Sequence, residues 1–455
     1  MKAFSIATLG CKVNQYESQQ IITLLERLGL TQAERNQVPD LVVVNTCCVT
    51  HVASAKSRRQ IHRAQRLNPH AVVLVCGCLP TVQTGELNLV GDNTYVITNR
   101  HDLVPTLSRL ANNKTAAPDQ SSCQNSVIKA ENNPNINYEN KLESPAELPP
   151  IDSFHNQTRA FLKIQDGCDA YCTYCIVPKT RPDVHSKPQA IALEEAKSMV
   201  KSGHKEIVLT GVFLGAYGQT TVRRKIWPNQ ENAKLAELLD QIAQISGLSR
   251  IRLSSLEPGD VTPRLLDVFC NHPNIMPHLH LSLQSGSYNV LKKMARQYST
   301  DDFRKTVALS KSRIDRPAIT TDIIVGFPSE TDADFEQTVN LAGEIGFAKM
   351  HVFAFSPRMG TTAANMKPQI GKATIKKRSN ILRKLDAELQ SQFRQQFIGE
   401  TADVLVENAT GRVCGRSERY FMVCLKGEHN NLKRNNLVTV KLVDNAPDSL
   451  IGELI

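Results

Sequence analysis

The chain has 455 residues, which is too many for one ordinary domain and predicts roughly two to four. Hydrophobic residues make up 41% and charged residues 22%, as in folded globular proteins, and the lack of any run of about 18 apolar residues excludes a membrane span. Lysine and arginine exceed aspartate and glutamate by 54 to 44, a mild positive charge that is compatible with a nucleic-acid partner without requiring one. The first residues lack the apolar core of a signal peptide, so we expect a cytoplasmic protein.

The first 110 residues alternate between strand and helix patterns. Apolar runs at residues 3–9, 41–45 and 71–75 predict buried parallel strands, and helical patterns cover residues 14–28 and 51–67. This alternation predicts a small doubly wound parallel-sheet domain of the α/β class over residues 1–110. Residues 111–157 then become rich in Asn, Ser, Pro, Glu and Lys, which predicts a flexible linker.

Strand and helix patterns alternate six more times between residues 158 and 397. The strands are expected at residues 161–165, 206–210, 250–255, 278–284, 319–325 and 350–355, and the clearest helices at residues 193–200, 233–245 and 332–345. Six units are two short of a closed eight-stranded barrel, so the pattern predicts an open six-unit βα barrel. A basic helical stretch at residues 374–397 ends this domain. Residues 398–455 have short alternating strands between turn residues, which predicts a small antiparallel β-barrel.

The chain contains twelve cysteines, and a cytoplasmic location favours metal or redox roles for the clustered ones over disulfides. The strongest cluster is Cys168, Cys172 and Cys175, which follows the first strand of the predicted barrel. Three thiolates at this CxxxCxxC spacing can bind three irons of a cubane cluster and leave the fourth iron open. The alternative is a zinc site with His185 as the fourth ligand, although zinc sites normally use CxxC pairs.

A second set of cysteines follows the strands of the amino-terminal domain. Cys11, Cys47 and Cys78 come after its first, second and third predicted strands. Because the carboxyl ends of parallel strands converge at one edge of a sheet, these cysteines can meet around one metal cluster. Cys48 and Cys76 are competing candidates: Cys48 adjoins Cys47, and Cys76 lies inside an apolar strand, which favours a role as a small buried hydrophobic residue. A purely structural role for all five is the remaining alternative.

The CxxxCxxC motif, with the aromatic Tyr174 before its last cysteine and a six-unit βα barrel around it, resembles the radical S-adenosylmethionine superfamily. In that superfamily the open iron binds the amino and carboxylate groups of S-adenosylmethionine, and an electron from the cluster cleaves the cofactor to a 5′-deoxyadenosyl radical. Three converging cysteines before the radical barrel and a small β-barrel after it are similar to the methylthiotransferases. Within them, TLGCKVNQYES, VNTCCVT, SRRQIHRAQRLNP, KIQDGCDAYCTYCIVP and LTGVFLGAYG resemble the branch that methylthiolates N6-threonylcarbamoyladenosine beside the anticodon of tRNA.

This resemblance implies a function. Cys168, Cys172 and Cys175 would hold the [4Fe–4S] cluster that makes the radical, and the amino-terminal cysteines would hold a second [4Fe–4S] cluster that carries the inserted sulfur. One S-adenosylmethionine would supply the radical and another the methyl group, for insertion at C2 of the adenosine. It further implies an electron donor such as a flavodoxin or ferredoxin, and a sulfur donor. The terminal β-barrel resembles the TRAM-like RNA-binding module of many RNA-modifying enzymes.

Three alternatives and one departure from the family pattern accompany this resemblance. The branches that act on isopentenyladenosine in tRNA and on a ribosomal protein share the same cysteines. An RNA-binding protein without catalytic activity, whose cysteines hold zinc or a structural cluster, is the alternative of a different class. The departure lies after Cys175, where Arg181-Pro182 and Ser186-Lys187 replace the Arg-Gly and Ser-Arg of the family. The family pattern therefore does not predict which residues of this loop contact the substrate.

S-adenosylmethionine also needs polar groups and close backbone approach at the strand ends of the barrel. Several residues stand where the predicted strands end, and each has the alternative of ordinary loop chemistry. With Tyr174, the candidates to contact the cofactor are Gly211, Ser254, Ser255, Glu257, Gln284, Gly326 and Arg358.

A stripe of positive charge marks the second helix of the amino-terminal domain. Lys56, Arg59, Arg63 and Arg66 follow a spacing that places them on one helix face, and no acidic residue occurs between positions 51 and 66. A single-sign face favours contact with a phosphate backbone over a merely solvated surface, which is the alternative. Further basic residues lie on the stretch 374–397 and in the terminal β-barrel, where Tyr420 and Phe421 either stack a base or, as we favour, fill the core.

Overall fold

The structure is a computed structural model that describes residues 1–34, 36–82, 93–112, 147–155, 157–227 and 232–455. The chain divides into two compact units, Met1–Ile151 and Asp152–Ile455. Most of the predicted linker, residues 113–146, lies outside the described residues. No helix in the described part combines the length and apolar character that a membrane crossing requires.

The amino-terminal unit contains a five-stranded sheet in the order β2-β1-β3-β4-β5, and every neighbouring pair is parallel. The strands are β1 (Ala3–Thr8), β2 (Thr31–Gln32), β3 (Leu41–Thr46), β4 (Val72–Gly77) and β5 (Thr94–Val96). The helices of this unit are α1 (Lys12–Arg27), α2 (His51–Leu67), α3 (Cys78–Val82) and α4 (Leu103–Asn112), with a 3-10 turn at Arg100–Asp102. The doubly wound prediction is confirmed, and the short outer strands β2 and β5 are additions to it.

Burial on both faces explains why these strands form. All six residues of β3 are buried, as its continuous apolar run predicts for the centre of a parallel sheet. Phe4 of β1 packs with Ile21 and Leu25 of α1 and Leu107 of α4 in one hydrophobic core. The sheet is therefore held by side chains on both surfaces, while its carboxyl edge carries the polar and cysteine-containing turns.

The second unit begins with the six parallel strands that the sequence predicts. The third of them is divided by Ser254 into β9 and β10, and a short additional strand, β7, joins the first. The resulting eight strands form two four-stranded sheets, β7-β6-β8-β9 and β10-β11-β12-β13. The strands are β6 (Arg159–Asp166), β7 (His185–Ser186), β8 (Glu206–Gly211), β9 (Arg250–Leu253), β10 (Ser255–Leu256), β11 (His278–Leu281), β12 (Ala318–Val325) and β13 (Lys349–Ala354). The short strand β7 is antiparallel to β6 and caps that edge, so the predicted open arrangement is confirmed.

Helices follow each of these strands except β9, which leads directly into β10. They are α5 (Val177–Thr180), α6 (Gln189–Lys201), α7 (Ala233–Ala243), α8 (Pro263–Asn271), α9 (Tyr288–Lys293), α10 (Thr300–Arg313), α11 (Asp332–Ile345), α12 (Thr362–Asn365) and α13 (Lys372–Gln395). Short 3-10 turns lie at Leu214–Ala216, Arg224–Ile226 and Pro258–Asp260. Helix α11 shows why the boundaries are readable from sequence, because Thr331 and Asp334 form a capping box at its start and Gly346 ends it in the left-handed conformation.

The carboxyl-terminal strands close into a five-stranded barrel in the order β14-β15-β16-β18-β17. They are β14 (Thr401–Asn408), β15 (Cys414–Ser417), β16 (Met422–Leu425), β17 (Leu437–Asn445) and β18 (Leu450–Leu454). Four of the pairs are antiparallel as predicted, whereas β16 and β18 are parallel. Cys414 and Cys424, which lie opposite each other on β15 and β16 and outside the clustered cysteines, are joined by a disulfide.

This small barrel packs against the amino-terminal ends of the larger barrel's strands. Glu206, the first residue of β8, is fully buried and lies 2.9 Å from Arg252 Nε and 3.7 Å from Arg250 Nη1. The two guanidinium groups continue into the small barrel, because Arg250 donates to the carbonyl of Arg416 and Arg252 to the carbonyl of Ser417. Buried charge therefore joins the two barrels across the floor of the larger one.

Tyr420 fills the same floor. Its ring stacks on His278 at a centroid distance of 4.5 Å, and the guanidinium of Arg416 lies 4.4 Å from the ring centroid. Phe421 instead packs against Phe397 in the core of the small barrel. The core prediction is thus confirmed for Phe421, while Tyr420 belongs to the contact between the two barrels.

Replacing Glu206 with Gln tests the importance of this buried ion network. The substitution leaves two buried guanidinium groups without their counter-charge, and breaking a buried pair costs about 3–5 kcal/mol. We expect the unfolding temperature of the anaerobic protein, followed by circular dichroism, to fall by about 5 °C or more. The matched control is Glu344→Gln, which removes an exposed partner of Arg304 and should shift the midpoint little. Equal shifts for the two variants would contradict a stabilising role of the buried network.

Candidate functional site

The loop that contains Cys168 begins at the carboxyl end of β6 and depends on a glycine. Gly167 has a φ of +79°, and a Cβ atom there would lie 1.8 Å from the carbonyl oxygen of Asp183. Asp166 fixes both ends of the loop, because its carboxylate accepts hydrogen bonds from the Gly167 amide at 2.9 Å and from Arg181 Nη1 at 2.8 Å. The Cys168 amide in turn donates to the carbonyl of Arg181 at 2.9 Å. The protein's own hydrogen bonds therefore fix both ends of the cysteine-containing loop.

The three barrel thiols suit a cluster that binds thiolates. Burial raises the pKa of the Cys168 and Cys175 thiols to about 12, so iron must displace their protons when it binds. Two donors point at the sulfur atoms: the Val177 amide lies 3.4 Å from Cys175 Sγ, and Arg296 Nη1 lies 3.0 Å from Cys172 Sγ. Hydrogen bonds to cysteine sulfur are typical of iron–sulfur sites, where they adjust the reduction potential.

The zinc alternative fits the geometry less well. Among the described residues, only one set of three His, Cys, Asp or Glu ligand atoms lies within 4.8 Å of one another, and it contains no cysteine. The thiols are thus spaced more widely than ligands of a single ion, as expected when each binds a separate iron of a cubane. His185, the suggested fourth ligand, is exposed on β7 with its Nδ1 3.0 Å from the carbonyl oxygen of Asp183.

Sequence reasoning missed Arg296, which connects the barrel cysteines to the end of the third strand. Besides Cys172, its guanidinium contacts the hydroxyl of Tyr174 at 3.3 Å and forms an ion pair with Glu257. Burial is the main influence on Glu257 and raises the pKa of its carboxyl, while Arg296 and Arg224 oppose this effect. Glu257, a predicted cofactor contact, therefore also orients a cation toward the cysteine loop.

The other predicted cofactor contacts all lie at the carboxyl ends of the barrel strands. Gly211 ends β8, Ser254 lies between β9 and β10, and Ser255 is the first residue of β10. Gln284 follows β11, Gly326 follows β12 and Arg358 follows β13. Tyr174 packs in a cluster with Phe327 and Phe355, which follow β12 and β13. The predicted set thus lies along one edge of the two sheets of this unit, as the topology of parallel strands requires.

Two of these positions have unusual backbone conformations. Gln284 has a φ of +66°, although it is not a glycine, and its backbone N–H donates to the carbonyl of Asp322 at 2.8 Å. Gly326 has a φ of +78°, and a Cβ there would lie 2.4 Å from Cγ1 of Ile375. Strained non-glycine backbone is concentrated at functional sites, which supports the choice of Gln284.

Residues of the loop that departs from the family pattern form ion pairs and hydrogen bonds with the surrounding fold. Arg181 is buried on Asp166, and the Lys187 ammonium forms a partly buried ion pair with Glu195. Ser186 accepts a hydrogen bond from the Gly218 amide at 2.8 Å. Lys187 therefore serves a scaffolding role in this loop.

The amino-terminal cysteines also lie where parallel strands end. Cys11 is the N-cap of α1, Cys47 follows β3 directly, and Cys78 is the first residue of α3 after β4. Their strands are neighbours in the sheet. A Cβ on Gly10 would lie 3.1 Å from Cys47 Sγ, so the turn containing Cys11 approaches Cys47 closely. The structure therefore places all three predicted ligands along one edge of this sheet.

The two competing cysteines have different surroundings. Cys76 points into the hydrophobic core, and burial raises the pKa of its thiol to about 12. Cys48 is fully buried, and its Sγ lies 3.2 Å from the carbonyl oxygen of Cys78. Both observations favour Cys47 and Cys78 as the ligands of this edge.

Two buried asparagines that sequence reasoning missed hold the cysteine-containing turns. The Asn14 side chain donates to the carbonyls of Leu9 and Thr46, both at 2.8 Å, and so bridges the ends of β1 and β3. Asn45 donates to the carbonyl of Asn14 at 3.0 Å. Their presence in the segments TLGCKVNQYES and VNTCCVT was the available signal, since buried amides usually tie backbone together.

The basic stripe lies on the exposed face of α2. Lys56, Arg59, Arg63 and Arg66 are all exposed, while Ser57, Ile61 and Ala64 form the buried face. None of the four forms a salt bridge with another described residue. Ser57 also holds the Cys47 backbone, because its hydroxyl donates to the Cys47 carbonyl at 2.9 Å. The same helix thus supports a predicted ligand and displays an exposed positive surface.

Several of the other basic residues form ion pairs within the fold. Arg378 of α13 is buried in ion pairs with Glu330 and Asp332. In the terminal barrel, Arg416 pairs with Glu407 and Arg419 with Asp315. The helix α2 stripe is therefore the better candidate for contact with a phosphate backbone.

Comparison with known families and proteins agrees with the motifs. Residues 3–97 match the profile described as uncharacterized protein family UPF0004, and residues 162–342 match the radical SAM superfamily. The chain is 35% identical to threonylcarbamoyladenosine tRNA methylthiotransferase MtaB of Thermotoga maritima, over all of this chain and 99% of that protein. It is 32% identical to the MtaB protein of Bacillus subtilis, over 97% and 94% of the two chains. A tRNA-2-methylthio-N(6)-dimethylallyladenosine synthase of Pelotomaculum thermopropionicum is 30% identical over 97% and 94%.

Solved structures support the fold. The radical S-adenosylmethionine methyltransferase TsrM of Kitasatospora setae, solved with cobalamin and a [4Fe–4S] cluster, superposes with a TM-score of 0.54 at 14% identity, covering 78% of this chain and 72% of TsrM. The cobalamin-dependent S-adenosylmethionine radical enzyme OxsB gives a TM-score of 0.51 at 11% identity, covering 86% and 56%. At these identities the likeness concerns the fold alone.

The assignment of Cys78 over Cys76 can be tested by iron analysis. If each cysteine set holds one [4Fe–4S] cluster, Cys78→Ala should lower the iron content of the anaerobically reconstituted protein by about half, because one cluster loses a thiolate ligand. Cys76→Ala should keep its iron and lose only stability, because this side chain packs in the core. Loss of iron in Cys76→Ala with full iron in Cys78→Ala would reverse the assignment.

Proposed function

Since the chain belongs to the radical S-adenosylmethionine methylthiotransferases, in their threonylcarbamoyladenosine tRNA branch, we propose that it attaches a methylthio group to C2 of N6-threonylcarbamoyladenosine beside the anticodon. It is thus an enzyme that modifies tRNA with S-adenosylmethionine and a [4Fe–4S] cluster as cofactors. The named relatives that act on dimethylallyladenosine are 30–31% identical, against 32–35% for those named for threonylcarbamoyladenosine, which favours the latter substrate.

One observation carries the proposal: the chain has two separate sets of three cysteines, one in the loop that follows β6 and one at the carboxyl ends of β1, β3 and β4. A single set would serve a radical enzyme that only cleaves S-adenosylmethionine. A second set allows a second [4Fe–4S] cluster, which is the feature that sulfur insertion needs. We therefore assign Cys168, Cys172 and Cys175 to radical formation, and Cys11, Cys47 and Cys78 to the sulfur-carrying cluster.

The chain's own residues would prepare both sites. The chemistry that the clusters supply when bound is reductive cleavage of S-adenosylmethionine at the barrel cysteines and provision of sulfur at the amino-terminal ones. Arg296 would hold Cys172 through its hydrogen bond to the sulfur and would place a fixed positive charge beside the barrel site. Asn14 would fix the turns around Cys11 and Cys47. These supports would keep the thiols in place while cofactor and substrate exchange.

A surface beside the barrel cysteines suits an RNA base. Tyr171, inside the CxxxCxxC motif, is 66% exposed, and the guanidinium of Arg223 lies 4.0 Å from its ring centroid. Asp169 fixes Arg223 through an ion pair of 3.2 Å. Paired aromatic and guanidinium planes stack single-stranded bases, so we propose that this pair contacts the anticodon loop.

The reaction needs two further partners. Reductive cleavage of the cofactor consumes one electron, for which we propose a low-potential donor such as a flavodoxin or ferredoxin. Each turnover also removes sulfur, for which we propose an external sulfur donor.

Cys172→Ala tests the radical assignment. The variant should keep the iron of the amino-terminal cluster, because that cluster is bound by a different set of cysteines. It should not form 5′-deoxyadenosine from S-adenosylmethionine under reducing anaerobic conditions, as measured by liquid chromatography. The control is Cys270→Ala, an exposed thiol outside both sets, which should behave as the wild type. Wild-type cleavage by Cys172→Ala would refute the assignment.

Neutralising the α2 stripe tests the tRNA interface. Replacing Lys56, Arg59, Arg63 and Arg66 with Gln should weaken tRNA binding and lower its salt slope by roughly 0.7–0.9 for each phosphate that the variant no longer neutralises. Binding is measured by filter retention between about 50 and 200 mM salt. S-adenosylmethionine cleavage without tRNA should not change, since these residues lie outside the barrel.

A matched control separates the stripe from net charge. Replacing Lys376, Lys377, Arg383 and Lys384 of α13 with Gln removes the same number of exposed charges. Because acidic residues accompany these charges, we expect the control to bind tRNA almost as tightly as the wild type. Equal weakening by the two variants, or an unchanged slope in the stripe variant, would count against the α2 interface.

A further inference from the structure

Three side chains on neighbouring strands of the barrel converge at a place that the cysteine chemistry does not use. One ligand atom each from His280 of β11, Asp322 of β12 and His351 of β13 lies within 4.8 Å of the others. His280 Nε2 and Asp322 Oδ2 are 3.3 Å apart. We propose that these residues form a binding site for one divalent transition-metal ion, with Zn²⁺ as the best-fitting ion.

The strand register produces this convergence. Asp322 lies directly opposite His351 in the parallel pair β12–β13, and Thr320 lies opposite His280 in the pair β11–β12. Thr320 and Asp322 are two residues apart and so project from the same face of β12. The three ligands are therefore held by adjacent backbone hydrogen bonds, and a metal site built on strands keeps its geometry.

The donor set has the chemistry of a zinc site. Two imidazoles and one carboxylate are the ligands of several catalytic zinc centres, which leave the fourth position open. Bonds of about 2.0–2.2 Å in a tetrahedral arrangement place ligand atoms roughly 3.3 Å apart. The separation between His280 Nε2 and Asp322 Oδ2 has this value.

A supporting contact orients the first ligand. His280 Nδ1 lies 2.9 Å from the hydroxyl of Thr320, which leaves Nε2 to face Asp322. A metal-binding imidazole typically makes such a hydrogen bond through its other nitrogen, which fixes both ring orientation and tautomer. Thr320 is itself held by His278 Nε2 at 3.1 Å.

The site faces the side of the sheet that carries the radical chemistry. Ile324 follows Asp322 by two residues, so the two side chains share a face of β12. Ile324 packs in a cluster with Tyr174 of the CxxxCxxC motif. The open position of the ion would thus point to the interior of the barrel, separately from both cysteine sets.

Zinc titration of the iron-loaded protein tests the site. The holoenzyme is freed of loosely bound metal under anaerobic conditions and titrated with Zn²⁺ against a chromophoric zinc indicator. The wild type should bind one ion more tightly than Asp322→Asn or His351→Gln, with the affinity lowered at least ten-fold in each variant. Zn²⁺ should also raise the unfolding temperature of the wild type and not of the two variants. Zinc held on cysteines cancels in this comparison, because every protein tested has the same cysteines.

The matched control is His272→Gln, which removes a histidine 2.7 Å from Asp240 in a pair outside the barrel interior. It should bind Zn²⁺ as the wild type does. Equal zinc affinity in the wild type, Asp322→Asn and His351→Gln, or no zinc on the wild type, would overturn the proposal. His280 and Asp322 would then form only an ion pair, without a metal. Iron content and 5′-deoxyadenosine formation in the same samples report on the proposed function separately, so either inference can fail alone.

Discussion

The chemistry of this protein depends on a property of parallel sheets: their strands all end at the same edge. Residues far apart in sequence therefore meet wherever neighbouring strands stop. The amino-terminal cysteines use this geometry directly, whereas the barrel cysteines share one loop at the carboxyl end of β6. Close approach at those ends requires residues without side chains, which is why Gly10 and Gly167 precede Cys11 and Cys168. A methyl group at Gly167 would collide with the backbone of Asp183, so the loop that contains Cys168 could not adopt this conformation.

Much of this arrangement could be predicted because it is local. Apolar runs and helix caps determine strand and helix positions within a few residues, as β3 and α11 show. The cysteine spacings are likewise local signals, and the resemblance to known methylthiotransferases connected them to a reaction. The choice between Cys76 and Cys78 followed from one rule, that a cysteine within an apolar strand faces the core. The structure places Cys76 in that core.

What could not be predicted arises from contacts across long stretches of chain. Arg296 is 124 residues from Cys172, and nothing near either position signals the hydrogen bond between them. Arg250 donates a hydrogen bond to the carbonyl of Arg416, 166 residues away, and Tyr420 of the small barrel stacks on His278. These residues of the small barrel therefore pack against the larger barrel. The His280, Asp322 and His351 set is similarly invisible, because it depends on the register of three strands. Sequence patterns predict elements well, whereas the partners of buried charges depend on how those elements pack.

Nucleoside mass spectrometry of tRNA from a strain in which this gene is deleted measures the proposed reaction itself. We expect threonylcarbamoyladenosine to lack its methylthio group in the deletion strain. The wild-type chain should restore the modification, whereas chains with Cys78→Ala or Cys172→Ala should not, because each lacks one of the two cysteine sets. Unchanged methylthiolation of threonylcarbamoyladenosine, or loss of the methylthio group from isopentenyladenosine instead, would show that the proposed function is wrong.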